Sequence, residues 1–337
     1  MYKPIIITCQ PDDNYYIWQN QLYIDSCLEA GFEEEQIHIL LYKPYNRIYN
    51  TKWEKLKIVY PKINLYVYED KGVQQFINIY QPIIRPHILS QHFEKFPELQ
   101  NKTIIYTDCD ILWVGKLDIE KYFDDDKNYI SNASSYLNYD YFLRKENDVL
   151  PEKKEEFLKK DIIKELCNIV GISVETFKNN NNNTGGVQYI LKNINADFWK
   201  KIEIDTLTIR LYLMNINKQY FKDEDSGYQS WCSDLWAVLF NLWNRNTETF
   251  IISEMDFAWS TEPIEVLKTK TIFHNAGITG ENTHPYPTFY KGKYHKGECP
   301  FNDEILQLTY NNEETKKYCN HYYLTKLLNL KNKIIWH

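Results

Sequence analysis

Within IIYTDCDILWVG, residues 104–115, two aspartates flank one cysteine directly after a short apolar run. In an extended segment residues i and i+2 share a face, so Asp108 and Asp110 project together while Cys109 turns into the core. Carboxylates this close repel unless a proton or a cation intervenes. A hard divalent ion answers both charges at once, because Mg²⁺ and Mn²⁺ prefer oxygen ligands and often complete their shells with substrate phosphates. Asp-x-Asp also arises by chance in acidic loops, as Asp124 to Asp126 show. The apolar runs on both sides set Asp108 and Asp110 apart.

Four further segments hold polar groups that need a reason. In FHNAG, His274 follows an apolar run. It reads either as a structural histidine bonded to backbone or as a nitrogen ligand, which would favour Mn²⁺ over Mg²⁺. The loop behind it carries Gly277 and Gly280, where backbone amides could approach phosphate oxygens. In NNTGGVQYILKN, Gly185 and Gly186 let backbone approach a ligand and Gln188 could bond sugar hydroxyls; a plain turn before a strand is the alternative. Asp234 sits in the apolar run QSWCSDLWAVL, where a buried carboxylate is costly unless paired or functional. It faces solvent beside Ser230, or it lines an acceptor pocket as base or hydroxyl ligand. Arg85, between Pro82 and Pro86, is either a bidentate diphosphate ligand or an ordinary helix-surface arginine.

These residues need a scaffold, and the first third of the chain supplies one. PIIITC reads as a strand buried on both faces, and IHILLY, NLYVY and KTIIYT as the next three strands. Between them, Asp12 to Asn14 cap a helix that Gly31 ends, Thr51 and Glu54 form a capping box, and IIRPHILSQHF is helical. Strand–helix alternation implies a mostly parallel sheet flanked by helices, with ligands beyond the carboxyl ends of the strands. Residues 140–182 change character: RKENDVLPEKKEEFLKKD reads as a charged helical excursion and FKNNNNN as a low-complexity mobile loop. TGGVQYILKN is then a strand, DSGYQSWCSDLWAVLFNLW a helix, and TKTIFHNAGITG a late strand running into a loop. The tail from Ile305 to His337 gives amphipathic helical pieces.

Composition bounds the function. At 337 residues, with 43% hydrophobic and 25% charged residues, the chain matches an ordinary globular protein. A formal net charge of −7 argues against duplex nucleic acid as partner. No stretch approaches the ~18 apolar residues of a membrane span. The opening apolar run is too short for a signal peptide. Seven scattered cysteines form neither a disulfide framework nor a CxxC metal pattern, which makes a reducing cytoplasm the simplest compartment. An aromatic share of 16% fits either core packing or the rims of a sugar site.

Together the segments resemble the GT-A superfamily of nucleotide-sugar-dependent glycosyltransferases: a Rossmann-like N-terminal sheet, YTDCD as its D-x-D motif, the glycine-led strand TGGVQY, a helix with an embedded acid and a late FHNAG. A fainter likeness, through QPDDNYYIWQ, TGGVQYILKN, WCSDLWAVL and IFHNAG, is to hydroxyproline O-arabinosyltransferase-like proteins. The resemblance implies a GT-A catalytic domain over 1–285, with a nucleotide-binding half (1–115) and an acceptor-binding half (116–285) interrupted by an insertion at 140–182. A helical C-terminal tail (286–337) would pack on it. It implies that Asp108, Asp110 and His274 hold Mn²⁺ (or Mg²⁺) against the diphosphate of a donor, most simply a UDP-sugar. Pro11, Asp12 and Asp13 would lie near base and ribose, and Arg85 and the Gly277 loop at the diphosphate. Gly185, Gly186 and Gln188 would line the donor sugar, while Asp234 faces a glycan or protein acceptor as candidate base, with Glu224 and Asp225 behind it. The competing readings are a nucleotide-sugar-forming nucleotidyltransferase and a non-catalytic sugar-binding module. The former usually carries a glycine-rich basic loop after the first strand, and QPDDNYY has neither glycine nor Lys or Arg.

Overall fold

A computed structural model describes residues 3–281 and 283–330. The end of the tail, 331–337, for which helix was expected, lies outside the described residues. In chain order the strands are β1 Ile5–Pro11, β2 Ile37–Lys43, β3 Asn64–Glu69, β4 Ile104–Tyr106, β5 Ile111–Trp113, β6 Asn128–Asn132, β7 Gly185–Leu191, β8 Thr249–Ile251, β9 Phe257–Trp259 and β10 Ile272–His274. The fold is α/β, with a mostly parallel central sheet flanked by helices, as the strand–helix alternation implies. No helix among the described residues is long and apolar enough to cross a membrane.

The chain divides into two compact units. Among the described residues the first comprises 3–69, 106–124, 253–281 and 283–330. Its parallel strands run β3-β2-β1, with Ile6 opposite Ile37 and His38 opposite Asn64. The end of β4 lies alongside, where Thr107 N–H donates to the Ile7 carbonyl at 3.1 Å. The interior of β1 is wholly buried, which explains why its sequence is an apolar run instead of an alternation. Helix Asn14–Glu29 follows, capped by Asp13, whose carboxylate accepts from Tyr15 N–H. It ends at Gly31, φ 103°, where the Gly31 and Phe32 amides donate back to the Leu28 and Cys27 carbonyls. Only glycine takes that backbone conformation without strain. The expected capping box at Thr51 does not form: Asn50 caps the turn through Lys52 N–H, and Glu54 accepts instead from the Tyr49 hydroxyl.

A small second sheet in the order β5-β10-β9 completes this unit. The C-terminal helices Glu304–Asn311 and Cys319–Leu330 are present as expected. They are tied in by an aromatic cluster around Trp18, which meets Phe289, Tyr294 and Tyr323 edge-on at ring distances of 5.9, 6.4 and 6.4 Å.

The second unit comprises residues 70–105 and 125–252. Its strand order is β4-β7-β6-β8, with β6 antiparallel to β7 and parallel to β8. Helix Ala196–Tyr220 packs against both Ile84–Lys95 and Ser233–Asn244. The charged excursion is not one helix but short pieces, Tyr139–Lys145 and Lys154–Phe157, separated at Pro151. Proline cannot continue a helix, which accounts for the break. The low-complexity run begins inside helix Val174–Asn179, because Phe177 is fully buried against Phe240 and Trp243.

Two predictions follow from these packings. A Cβ added at Gly185 would lie 2.0 Å from the Ser131 carbonyl oxygen of β6. Gly185→Ala should therefore cost about 1–3 kcal/mol in a urea titration, and an unchanged midpoint would contradict the packing. Burial pushes the His38 imidazole down to about 4. The unfolded chain then holds the extra proton, so the stability contributed by neutral His38 is complete above about pH 6.5 and falls as pH drops toward 4. The loss across that window is about 3 kcal/mol, and His38→Phe should remove it; parallel stability–pH curves for the two proteins would refute this.

Candidate active site

Asp108 and Asp110 do not stand on a strand. They occupy the turn between β4 and β5, so strand alternation is not what aligns them. The turn nonetheless brings their carboxylates together and leaves Cys109 buried. His274 arrives through the small sheet, where β10 pairs antiparallel with β5 and His274 stands opposite Ile111. One further rung, from Asn275 N–H to the Asp110 carbonyl at 2.9 Å, fixes that register beside the aspartate. Ligand atoms of Asp108, Asp110 and His274 all lie within 4.8 Å of one another.

His274 Nε2 is 3.4 Å from Asp110 Oδ1. Its Nδ1 is buried without a hydrogen-bond partner among the described residues. Packing holds the ring instead: it stacks on Trp259 at 5.6 Å and meets the edge of Phe257 at 5.2 Å. Gly277, at φ 88°, turns the chain away directly afterwards. Two carboxylates and one imidazole, mostly buried and converging, suit a divalent cation that accepts oxygen and nitrogen ligands.

The sequence reading missed Lys291. Its ammonium contacts Asp110 Oδ2 directly. The residue opens a short turn, Lys291–Tyr294, in which the Tyr290 ring lies against Gly292, 2.3 Å from where a Cβ would stand. Phe289 and Tyr294, on either side, are buried against Trp18. Burial alone would raise the Asp110 carboxyl, but Lys291 and His274 outweigh it and hold it well below the usual carboxylate range. Only the tight YKGKY spelling signals this lysine, and basic residues are common in the chain.

In the same unit, Pro11 ends β1 and Asp12 is fully buried, its carboxylate accepting from Asn50 N–H at 2.9 Å. Burial raises the Asp12 carboxyl, against the opposing pull of that hydrogen bond. Asp13 caps the following helix and lies 3.5 Å from Arg47. Tyr15 in that first turn is raised by burial and then by the nearby Asp110 charge, which places this loop close to the acidic turn.

The second unit joins two residues that the sequence reading kept apart. Arg85 Nη1 donates to Asp234 Oδ2 at 2.9 Å, and the Tyr80 hydroxyl donates to Asp234 Oδ1 at 2.6 Å. Asp234 is 6% exposed and sits in the first turn of Ser233–Asn244, where the helix dipole also favours a carboxylate. Glu224 bonds Ser230 and lies 3.4 Å from Arg210, while Asp225 is exposed. On β7, Gly185 is required by its close approach to the Ser131 carbonyl, while a Cβ at Gly186 would meet the Tyr189 hydroxyl at 2.7 Å. Val187 has φ 76°, a strained conformation for a β-branched residue. Gln188 is fully buried, and neither atom of its amide has a hydrogen-bond partner among the described residues.

No family model matches the sequence. No curated protein shows significant sequence similarity to it. Solved structures do resemble it. The WbbM bifunctional glycosyltransferase aligns with 97% of this chain at 11% identity and a TM-score of 0.44, and this chain spans about half (52%) of that one. Mouse xyloside xylosyltransferase 1 aligns with 82% of this chain and 98% of its own, at 10% identity and TM-score 0.38. The galactosyltransferase LgtC, solved with donor and acceptor sugar analogues, aligns with 98% of this chain and 96% of its own, at 10% identity and TM-score 0.41. These likenesses are loose, and the functional reading rests on the chain's own residues.

The geometry predicts opposite effects within one cluster. In a Mn²⁺ titration followed by electron paramagnetic resonance, Asp108→Asn and His274→Ala should weaken binding at least about tenfold. Lys291→Ala should tighten it, since the competing ammonium is gone. Equal affinity in His274→Ala would remove the imidazole from the ligand set.

Proposed function

We propose that this protein is a metal-dependent GT-A-type glycosyltransferase, moving a sugar from a nucleoside-diphosphate sugar, most simply a UDP-sugar, to a hydroxyl of a glycan or protein acceptor. The observation that carries this reading is the convergence of Asp108, Asp110 and His274 with Lys291 at one mostly buried point. Asp108, Asp110 and His274 would hold Mn²⁺, or Mg²⁺ less well, because one imidazole suits the transition metal better. Bound there, the ion would neutralise charge building on the leaving diphosphate. Lys291 adds a second positive group at the same place. Pro11, Asp12 and Asp13 are assigned to the base and ribose, the loop at Gly277 to the diphosphate, and Gly185, Gly186 and Gln188 to the donor sugar.

Asp234 is the proposed acceptor-side acid–base residue. Arg85 fixes one of its oxygens and Tyr80 the other, so its carboxylate is held in one orientation. In this role Arg85 positions Asp234, and it takes precedence over a diphosphate role for Arg85. The proposed compartment is the cytoplasm. A nucleotidyltransferase is disfavoured by the absence of a glycine-rich basic segment after β1.

A panel of nucleoside-diphosphate sugars with Mn²⁺, scored for slow donor hydrolysis without acceptor, tests the assignment. One donor should be hydrolysed, and chelation or Asp110→Ala should lower the rate about 100-fold. Metal-independent turnover, or full turnover in Asp110→Ala, would sink it.

A further inference from the structure

Trp231 is 55% exposed, yet it is not loosely held. Its ring stacks on Tyr136 at 6.2 Å and 27°. Its carbonyl accepts from the Tyr80 hydroxyl at 2.6 Å, the same hydroxyl that bonds Asp234 Oδ1. One oxygen atom thus ties the base of an exposed indole to a buried carboxylate three residues on. Beside it, Ser230 is buried and bonds both Arg210 and Glu224, and the Arg210 guanidinium lies 5.5 Å over the Tyr80 ring.

We propose that Trp231, stacked on Tyr136, is a platform for a neutral pyranose ring, whose hydroxyls are taken by the adjoining Asp234–Arg85 and Glu224–Arg210 pairs. A pyranose has an apolar C–H face that matches an indole and a rim of hydroxyls that needs both donors and acceptors. An ionised carboxylate offers about four acceptor sites, so Asp234 retains capacity beyond its two partners. Charge selects the occupant. Two cations and two anions cancel within the cluster, so a phosphorylated or uronic-acid sugar finds no surplus positive charge to pair with. The proposal rests on the glycosyltransferase reading, for which the neutral ring is part of the acceptor.

Saturation-transfer NMR on the full chain, with methyl β-D-glucopyranoside, methyl β-D-galactopyranoside, methyl β-D-xylopyranoside and methyl β-D-glucuronide, tests it. At least one neutral glycoside should bind saturably. Trp231→Ala should weaken that binding about tenfold, and Trp231→Phe should restore part of it. The glucuronide should bind no better than its neutral parent. Because the indole is half exposed, circular dichroism should show both variants folded; if Trp231→Ala is not, the comparison is made on Trp231→Phe and Tyr136→Ala. No binding of any neutral glycoside, undiminished binding in the variants, or preference for the glucuronide would each overturn the platform. Donor hydrolysis by the wild-type protein is read separately. Hydrolysis without a platform effect rejects only the platform, whereas a platform effect without hydrolysis keeps a sugar-binding surface and rejects the transferase.

Discussion

The carboxylate of Asp110 is mostly enclosed by protein, and two distant stretches of chain are arranged to keep it charged. Taking one ion out of water costs several kcal/mol unless partners repay it. Here the partners are the imidazole of His274 and the ammonium of Lys291. Neither is near in sequence. His274 is delivered by a ladder only three residues long, β5 against β10, with the Asn275–Asp110 rung at its end. Lys291 is delivered by the tail, which has no strand among the described residues and relies on Phe289, Tyr294 and Tyr323 closing around Trp18. The aromatic cluster and the acidic turn are thus coupled. Loosening the packing at Trp18 would withdraw a cation from Asp110.

Asp234 meets the same cost in another way. Its counter-charge comes from Arg85, on a helix of the same unit, and a fixed phenol holds its other oxygen. Arg is suited to this role because its guanidinium is always charged and geometrically rigid, whereas a lysine ammonium sits at the end of four rotatable methylenes. One acid is therefore locked by a planar group inside the packed helices, and the other is met by a flexible one on a short turn. The first arrangement suits a group that must keep one orientation. The second suits a group whose partner can be exchanged.

The parts of this that could be read from sequence were local. Apolar runs identified β1, β2 and β4, because strands buried on both faces need little else, whereas β3 is a half-exposed edge strand. Asp13 and Gly31 announced the ends of the first helix, because caps are satisfied within a few residues. The spacing of Asp108 and Asp110, with His274 as a third ligand, pointed to the cluster that the fold assembles. What could not be read was long-range. Lys291 is 181 positions from Asp110, and Arg85 is 149 from Asp234. No periodicity encodes such pairings. The two aspartates converge for a different local reason from the one their spacing suggests, since a turn and not a strand aligns them. At Gly185 the requirement for glycine comes from the β6 backbone, a neighbour that only the folded sheet supplies.

Net charge adds a last constraint. A chain at −7 repels polyphosphates at long range, although salt confines that field to roughly 8–10 Å. Attraction for an anion must then be built locally. At Asp110 the built-in cation, Lys291, is also the aspartate's own counter-ion, so the positive charge available to a ligand depends on what else neutralises Asp108 and Asp110. A divalent cation in that cluster would compete with Lys291 for Asp110 and, by winning, would leave the ammonium without its partner. The displacement that would seat a metal there would thereby free a positive group beside it.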